Sequence, residues 1–190
     1  WVFDAIDEWL KEPNESRVFW LQGAPGVGKT AIAAWLCRNL REVAAFHLCR
    51  HEHTQKADPR ATVKSIAYQL STQLPDYQER LGSLNLDRLV PESDTRTLFD
   101  RMIVQSLSSG FPVPDRTIIV LIDGLDEASA DGRNELARFI STEWRSTPEW
   151  LRLIVTSRPE PEVTHPLQGL SPYVLDASES RNLDDIRAFL

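Results

Sequence analysis

Arg17-Val18-Phe19-Trp20-Leu21-Gln22-Gly23-Ala24-Pro25-Gly26-Val27-Gly28-Lys29-Thr30 decides the fold. Its first six residues are the short apolar run of a buried strand, and Gly23 to Thr30 match G-x-x-x-x-G-K-[ST] in full. The chemistry needs each part. Glycines let the backbone curl until successive N–H groups point inward at an anion. A helix starting near Gly28 turns its positive end toward the same anion. Lys29 can reach the β- and γ-phosphates of a nucleotide, and the Thr30 hydroxyl can ligate magnesium. A chance match in a chain of this kind arises about once in a hundred, and the strand-to-helix setting makes chance less credible still. Gly23, Ala24, Pro25, Gly26, Val27, Gly28, Lys29 and Thr30 are therefore the candidate nucleotide-binding residues.

Outward from this motif, short apolar runs alternate with helical patterns. Further strands are expected at 43–49, 117–122, 151–156 and 173–175. Helices are expected at 28–42, 60–74, 95–107 and 132–144, where apolar residues recur at helical spacing. The N-terminal stretch has Phe3, Ile6, Trp9 and Leu10 on one face and predicts an extra helix packed on the core. Residues 111–116, with Pro112 and Pro114, read as a loop. Runs apolar on both faces, alternating with helices, imply a parallel sheet of α/β class between two helix layers.

The 190 residues suffice for one such domain. A net charge of -7 argues against broad nucleic-acid binding and against an anionic membrane, both of which favour a basic surface. Cys37 and Cys49 form no disulfide framework, and no long apolar run or signal peptide is present, so a cytoplasmic protein is expected. The chain begins at Trp1 and stops in a helix-like stretch at Leu190, which predicts a piece of something larger.

A phosphate loop needs a carboxylate from a neighbouring strand to hold magnesium. Thr117 to Ile122 lead into Asp123, which is the expected metal residue together with Thr30. Gly124, Leu125, Asp126 and Glu127 follow, and one of the two later acids is expected to orient the attacking water.

WLQGAPGVGKT (20–30) followed by IIVLIDGLDEA (118–128) resembles the NACHT family of STAND-class signal-transduction NTPases. In that family a small residue follows the magnesium aspartate and acids come two positions later, which Gly124, Asp126 and Glu127 fit. Many relatives instead carry a catalytic Glu directly after the Asp. LRLIVTSRPE (151–160) resembles the family's sensor 1 segment, which would set Thr156, Ser157 and Arg158 near the γ-phosphate, with Arg158 as a charged donor to it. The segments FHLCRHEH and DPRATVKSIAYQL look like its second strand and following helix. The resemblance implies a three-layer P-loop NTPase over 1–190, with a five-stranded parallel sheet in the order 5-1-4-3-2 and helices on both faces. It also implies that the helical and winged-helix subdomains which normally follow lie outside this chain.

Weaker features have plainer readings. His47, Cys49, His51 and His53 alternate as zinc ligands might be spaced on one strand face, but no second ligand cluster lies nearby, and incidental histidines on a strand-and-loop surface are the expectation. Trp9, Trp20 and Trp35 read as core, whereas Trp144 and Trp150 flank a loop where a neighbouring domain could meet them. Cys37 reads as a buried small hydrophobe.

The expected function is an ATP- and Mg2+-dependent switch with slow hydrolysis. The resemblance implies self-association of the larger protein, driven through effector and sensor domains outside this chain. ATP is preferred because no N-K-x-D-type guanine-reading tetrapeptide occurs, with GTP as the alternative nucleotide. Two rival readings are a P-loop kinase acting on a small acceptor and a nucleotide-binding scaffold with negligible turnover.

Overall fold

In a computed structural model that describes residues 1–12, 16–50, 58–108 and 110–176, five parallel strands form one sheet. They are β1 (Val18–Gly23), β2 (Val43–Leu48), β3 (Ile118–Asp123), β4 (Leu151–Ser157) and β5 (Tyr173–Leu175). Their order, β2-β3-β4-β1-β5, is the expected 5-1-4-3-2 read from the other edge. β4 lies between the phosphate-loop strand and the acidic strand, pairing Leu21 with Thr156 on one side and Ile122 with Val155 on the other.

Pleating sends alternate residues to opposite faces, and both faces are covered. Phe19, Leu21, Ile119, Leu121 and Ile154 meet the helices α1 (Val2–Lys11) and α2 (Lys29–Asn39). Trp20, Val120, Ile122, Leu153 and Val155 meet α3 (Pro59–Gln73) and the helical segments that follow it. Every residue of β3 and β4 is buried, which is why those runs lack the polar alternation of a half-exposed strand. Each large aliphatic side chain so buried stabilises the fold by about 1.5–3 kcal/mol.

The extra N-terminal helix is held by an unusual clasp. Val2, Ile6 and Trp9 face the core. Arg152, a cation within the buried strand β4, donates to the carbonyls of Trp9 and Glu12 and lies over the Trp9 ring. Its charge is therefore spent on the carbonyl end of α1, where the helix dipole welcomes a cation.

Several elements depart from expectation. The helix expected over 95–107 is α-helical at Thr95–Phe99, opens into a π-wound turn at Asp100–Val104, and closes again at Gln105–Leu107. Tyr77 Oη donates to the Met102 carbonyl at 2.6 Å and Ser106 Oγ to the Arg101 carbonyl at 2.8 Å, serving acceptors in the widened turn. Two further helices, Pro75–Gly82 and Leu86–Glu92, fill a stretch with no clear apolar stripe. Their signals are local ones, Pro75 in the first turn and the Asn85 side chain accepting from Arg88 N–H. Trp144 is buried among Phe99 and its neighbours instead of facing outward. Cys37 is exposed rather than buried. Among the described residues no helix is long and apolar enough to cross a membrane.

Candidate functional site

The C-terminal ends of β1, β3 and β4 converge on one cavity of about 270 Å3. Pro25, Gly26, Gly28, Lys29, Thr30, Asp123, Asp126, Glu127, Thr156 and Arg158 all line it. Gly23 ends β1, and Ala24 and Val27 complete the loop between β1 and α2. Gly28 caps α2 with φ 98, a left-handed conformation that a side chain would strain.

Lys29 is folded back on its own loop, its ammonium donating to the carbonyls of Gly23 at 2.8 Å and Ala24 at 2.9 Å. Burial holds its pKa below the ordinary lysine value, with the nearby Asp126 carboxylate opposing that shift and the Arg158 guanidinium adding to it. A desolvated cation beside a second cation is a place where an anion is welcome.

Asp123 is almost wholly enclosed at 1% exposure. Its Oδ1 accepts from the Thr156 hydroxyl at 2.5 Å, and its buried Oδ2 has no hydrogen-bond partner. The next residue, Gly124, has φ 73, a region where a glutamate would be strained. A 3-10 turn over Leu125–Ala128 instead brings Asp126 and Glu127 back to the cavity.

The two later acids are in different situations. Asp126 Oδ1 accepts from the Arg158 backbone N–H at 2.9 Å, and Oδ2 lies 3.3 Å from Arg158 Nε. The Glu127 side chain makes no hydrogen bond or ion pair with the described residues, and both acids line this cavity and an adjoining cleft of about 650 Å3. Arg50, from the end of β2, and Glu160 and Glu162 also face that cleft.

Three residues escape a motif reading. Asn134 is fully buried and donates to the Leu125 carbonyl at 2.6 Å while accepting from Ala137 N–H at 2.7 Å, so it pins the acidic turn and caps the helix Glu135–Glu143 together. Its signal was present, an Asn directly before an apolar helical run. Trp20 Nε1 donates to Ser157 Oγ at 2.9 Å and ties the strand of the phosphate loop to β4. Arg50 has no sequence signal beyond its position after a strand.

Of the four residues of the zinc pattern the structure describes His47 and Cys49, and among the described residues no three His, Cys, Asp or Glu side chains are grouped to hold a metal. His47 is buried rather than on a surface, with Nε2 3.2 Å from Thr62 Oγ1. Cys49 is buried, and its thiol is pushed up to about 12, chiefly by burial and then by the charges of Asp123, Asp126 and Glu127. His51 and His53 lie outside the described residues. Magnesium makes different demands, since it keeps several waters and takes one or two protein oxygens plus phosphate. The unpartnered Asp123 Oδ2 and the Thr30 hydroxyl in the same cavity fit that pattern.

A family model described as Nephrocystin 3, N-terminal, matches residues 1–158. The chain belongs to this family. The match takes in every candidate site residue, from the phosphate loop to Arg158. Among solved structures, a Walker-type ATPase of Pyrococcus abyssi is similar, with a TM-score of 0.54 and 16% identity. The similarity covers 98% of this chain and 56% of that one, so the chain spans about half the length of its structural relative. At that identity the likeness speaks for the fold alone. The chain thus has a P-loop NTPase-like fold.

Proposed function

We propose that the chain is a NACHT-type nucleotide module that binds ATP with Mg2+ and hydrolyses it slowly, as a switch in a larger signalling protein. The observation that carries this reading is the convergence of Lys29, Thr30, Asp123 and Arg158 on one cavity at the strand ends, with an unpartnered carboxylate oxygen beside the phosphate loop. Lys29 exchanges its loop carbonyls for phosphate oxygens. Thr30 and Asp123 hold the metal, which supplies charge neutralisation for the β- and γ-phosphates. Arg158 meets the terminal phosphate with a charge-assisted contact. Glu127, free and facing the cleft, orients the attacking water.

The likeness in fold to the Walker-type ATPase of Pyrococcus abyssi supports the nucleotide class. The switch role, with self-association through domains outside this chain, rests on the resemblance of residues 20–30, 118–128 and 151–160 to NACHT proteins. Equilibrium titration with ATP and GTP, with and without Mg2+, tests the reading. Mg2+-dependent binding with ATP preferred is expected. Binding of neither nucleotide would refute it.

A further inference from the structure

Asp126 and Glu127 are adjacent acids on one turn that line the same cavities, yet among the described residues only Asp126 is engaged by another side chain. The Asp126 side chain is 7% exposed and both of its oxygens are engaged by a single residue. Oδ1 fixes the backbone of Arg158 as the chain leaves β4, and Oδ2 grips Nε at the root of the guanidinium. The two terminal nitrogens of Arg158 have no hydrogen bond or ion pair among the described residues, and the side chain is 43% exposed on the wall of the phosphate-loop cavity.

This division of labour suits a planar fork. A guanidinium carries five N–H donors in fixed directions, so holding Nε and the backbone sets where the remaining pair points. A carboxylate that orients water must instead turn an oxygen toward that water. Both Asp126 oxygens are engaged by Arg158, and the Glu127 carboxylate has no such partner among the described residues.

We infer that Asp126 is a positioning residue that aims Arg158 at the terminal phosphate of a bound triphosphate. The inference rests on the nucleotide-binding reading above. It makes a chemical demand that a water-handling role does not. Loss of Asp126 must act through Arg158, and only on ligands that possess the third phosphate. The two acceptor functions of Asp126 are also separable. An Asn keeps a carbonyl oxygen for the Arg158 N–H, whereas an Ala keeps nothing.

The test is a double-mutant cycle read by calorimetric titration with Mg2+, using a non-hydrolysable ATP analogue and ADP as probes. Arg158→Ala should weaken the triphosphate about tenfold, the scale of one charge-assisted hydrogen bond, and leave ADP within about twofold. Asp126→Ala should do the same, and the double variant should be no worse than either single one. Asp126→Asn, which keeps an acceptor for the Arg158 N–H but sets an amide N–H2 against Nε, should lose triphosphate affinity nearly as far as the Ala variant. Additive losses, near a hundredfold in the double variant, would overturn the inference. So would an Asp126→Ala protein that loses ADP and triphosphate equally, which marks a merely structural role. If Asp126→Ala does not fold, the cycle is run with Asp126→Asn. Additivity of its loss with that of Arg158→Ala would then refute the inference, and a double variant equal to Arg158→Ala would support it. Wild-type protein that binds neither probe sinks the nucleotide reading and this inference together, whereas wild-type binding with additive variants sinks this inference alone.

Discussion

Thr156 Oγ1 donates to Asp123 Oδ1 at 2.5 Å and accepts from the backbone N–H of Gly124 at 3.0 Å. One hydroxyl on β4 thus serves both the carboxylate that ends β3 and the left-handed glycine after it. It also determines which oxygen of Asp123 is left over, because Oδ1 is occupied and Oδ2 is not. Replacing Thr156 by Val keeps the shape but leaves a buried carboxylate and a backbone donor unserved. A loss of about 1–3 kcal/mol in urea unfolding is expected, with Thr156→Ser restoring most of it. Equal stability of all three proteins would show that the hydroxyl contributes nothing to the junction of β3 and β4.

Asp123→Asn separates metal from fold. Under the proposed role, the substitution weakens ATP binding in the presence of Mg2+ far more than in its absence. Titrations with and without a chelator measure both. A deficit of the same size under chelation would mean that Asp123 supports the cavity rather than a metal.

Glu127→Gln should leave ATP affinity nearly unchanged and slow phosphate release by on the order of a hundredfold, the scale of losing a positioned proton acceptor. Phosphate release under single-turnover conditions is the measurement. Undiminished turnover would remove Glu127 from the chemistry.

The thiols give a prediction independent of nucleotide. Cys37 is exposed and Cys49 is enclosed, with its pKa raised to about 12. Alkylation at pH 8 should label Cys37 alone, more slowly than a free thiol because partial burial raises its pKa too, and Cys49 should react only after denaturation. The same shift bears on alkaline stability. A group whose folded pKa lies above its unfolded value favours folding at lower pH, and that contribution fades as pH rises past the ordinary thiol range toward about 12. Cys49→Ala should blunt this part of the alkaline loss. Rapid labelling of both thiols in the folded protein would contradict the burial of Cys49.

The sheet was legible because β3 and β4 are buried on both faces and therefore read as unbroken apolar runs. The phosphate loop and Asp123 were legible because their chemistry demands fixed residue types at fixed spacing. What escaped the sequence was pairing across distance. Nothing near Trp144 in the chain announces Phe99, and nothing near Arg152 announces the carbonyls of Trp9 and Glu12. Asp126 and Glu127 are adjacent acids whose different surroundings arise only when Arg158 arrives from another strand. The helices Pro75–Gly82 and Leu86–Glu92 were missed because each is too short to display a periodic stripe.

Lys29 is the cation built into the phosphate loop, and in the ligand-free fold it is held by the carbonyls of Gly23 and Ala24. Calorimetric titration of wild-type and Lys29→Ala protein with ATP and Mg2+ therefore tests the nucleotide reading most directly. Binding by the wild type and a loss of about tenfold or more in the variant are expected, since a charge-assisted contact to phosphate disappears. Equal affinity in the two proteins, or no binding by either, would contradict it.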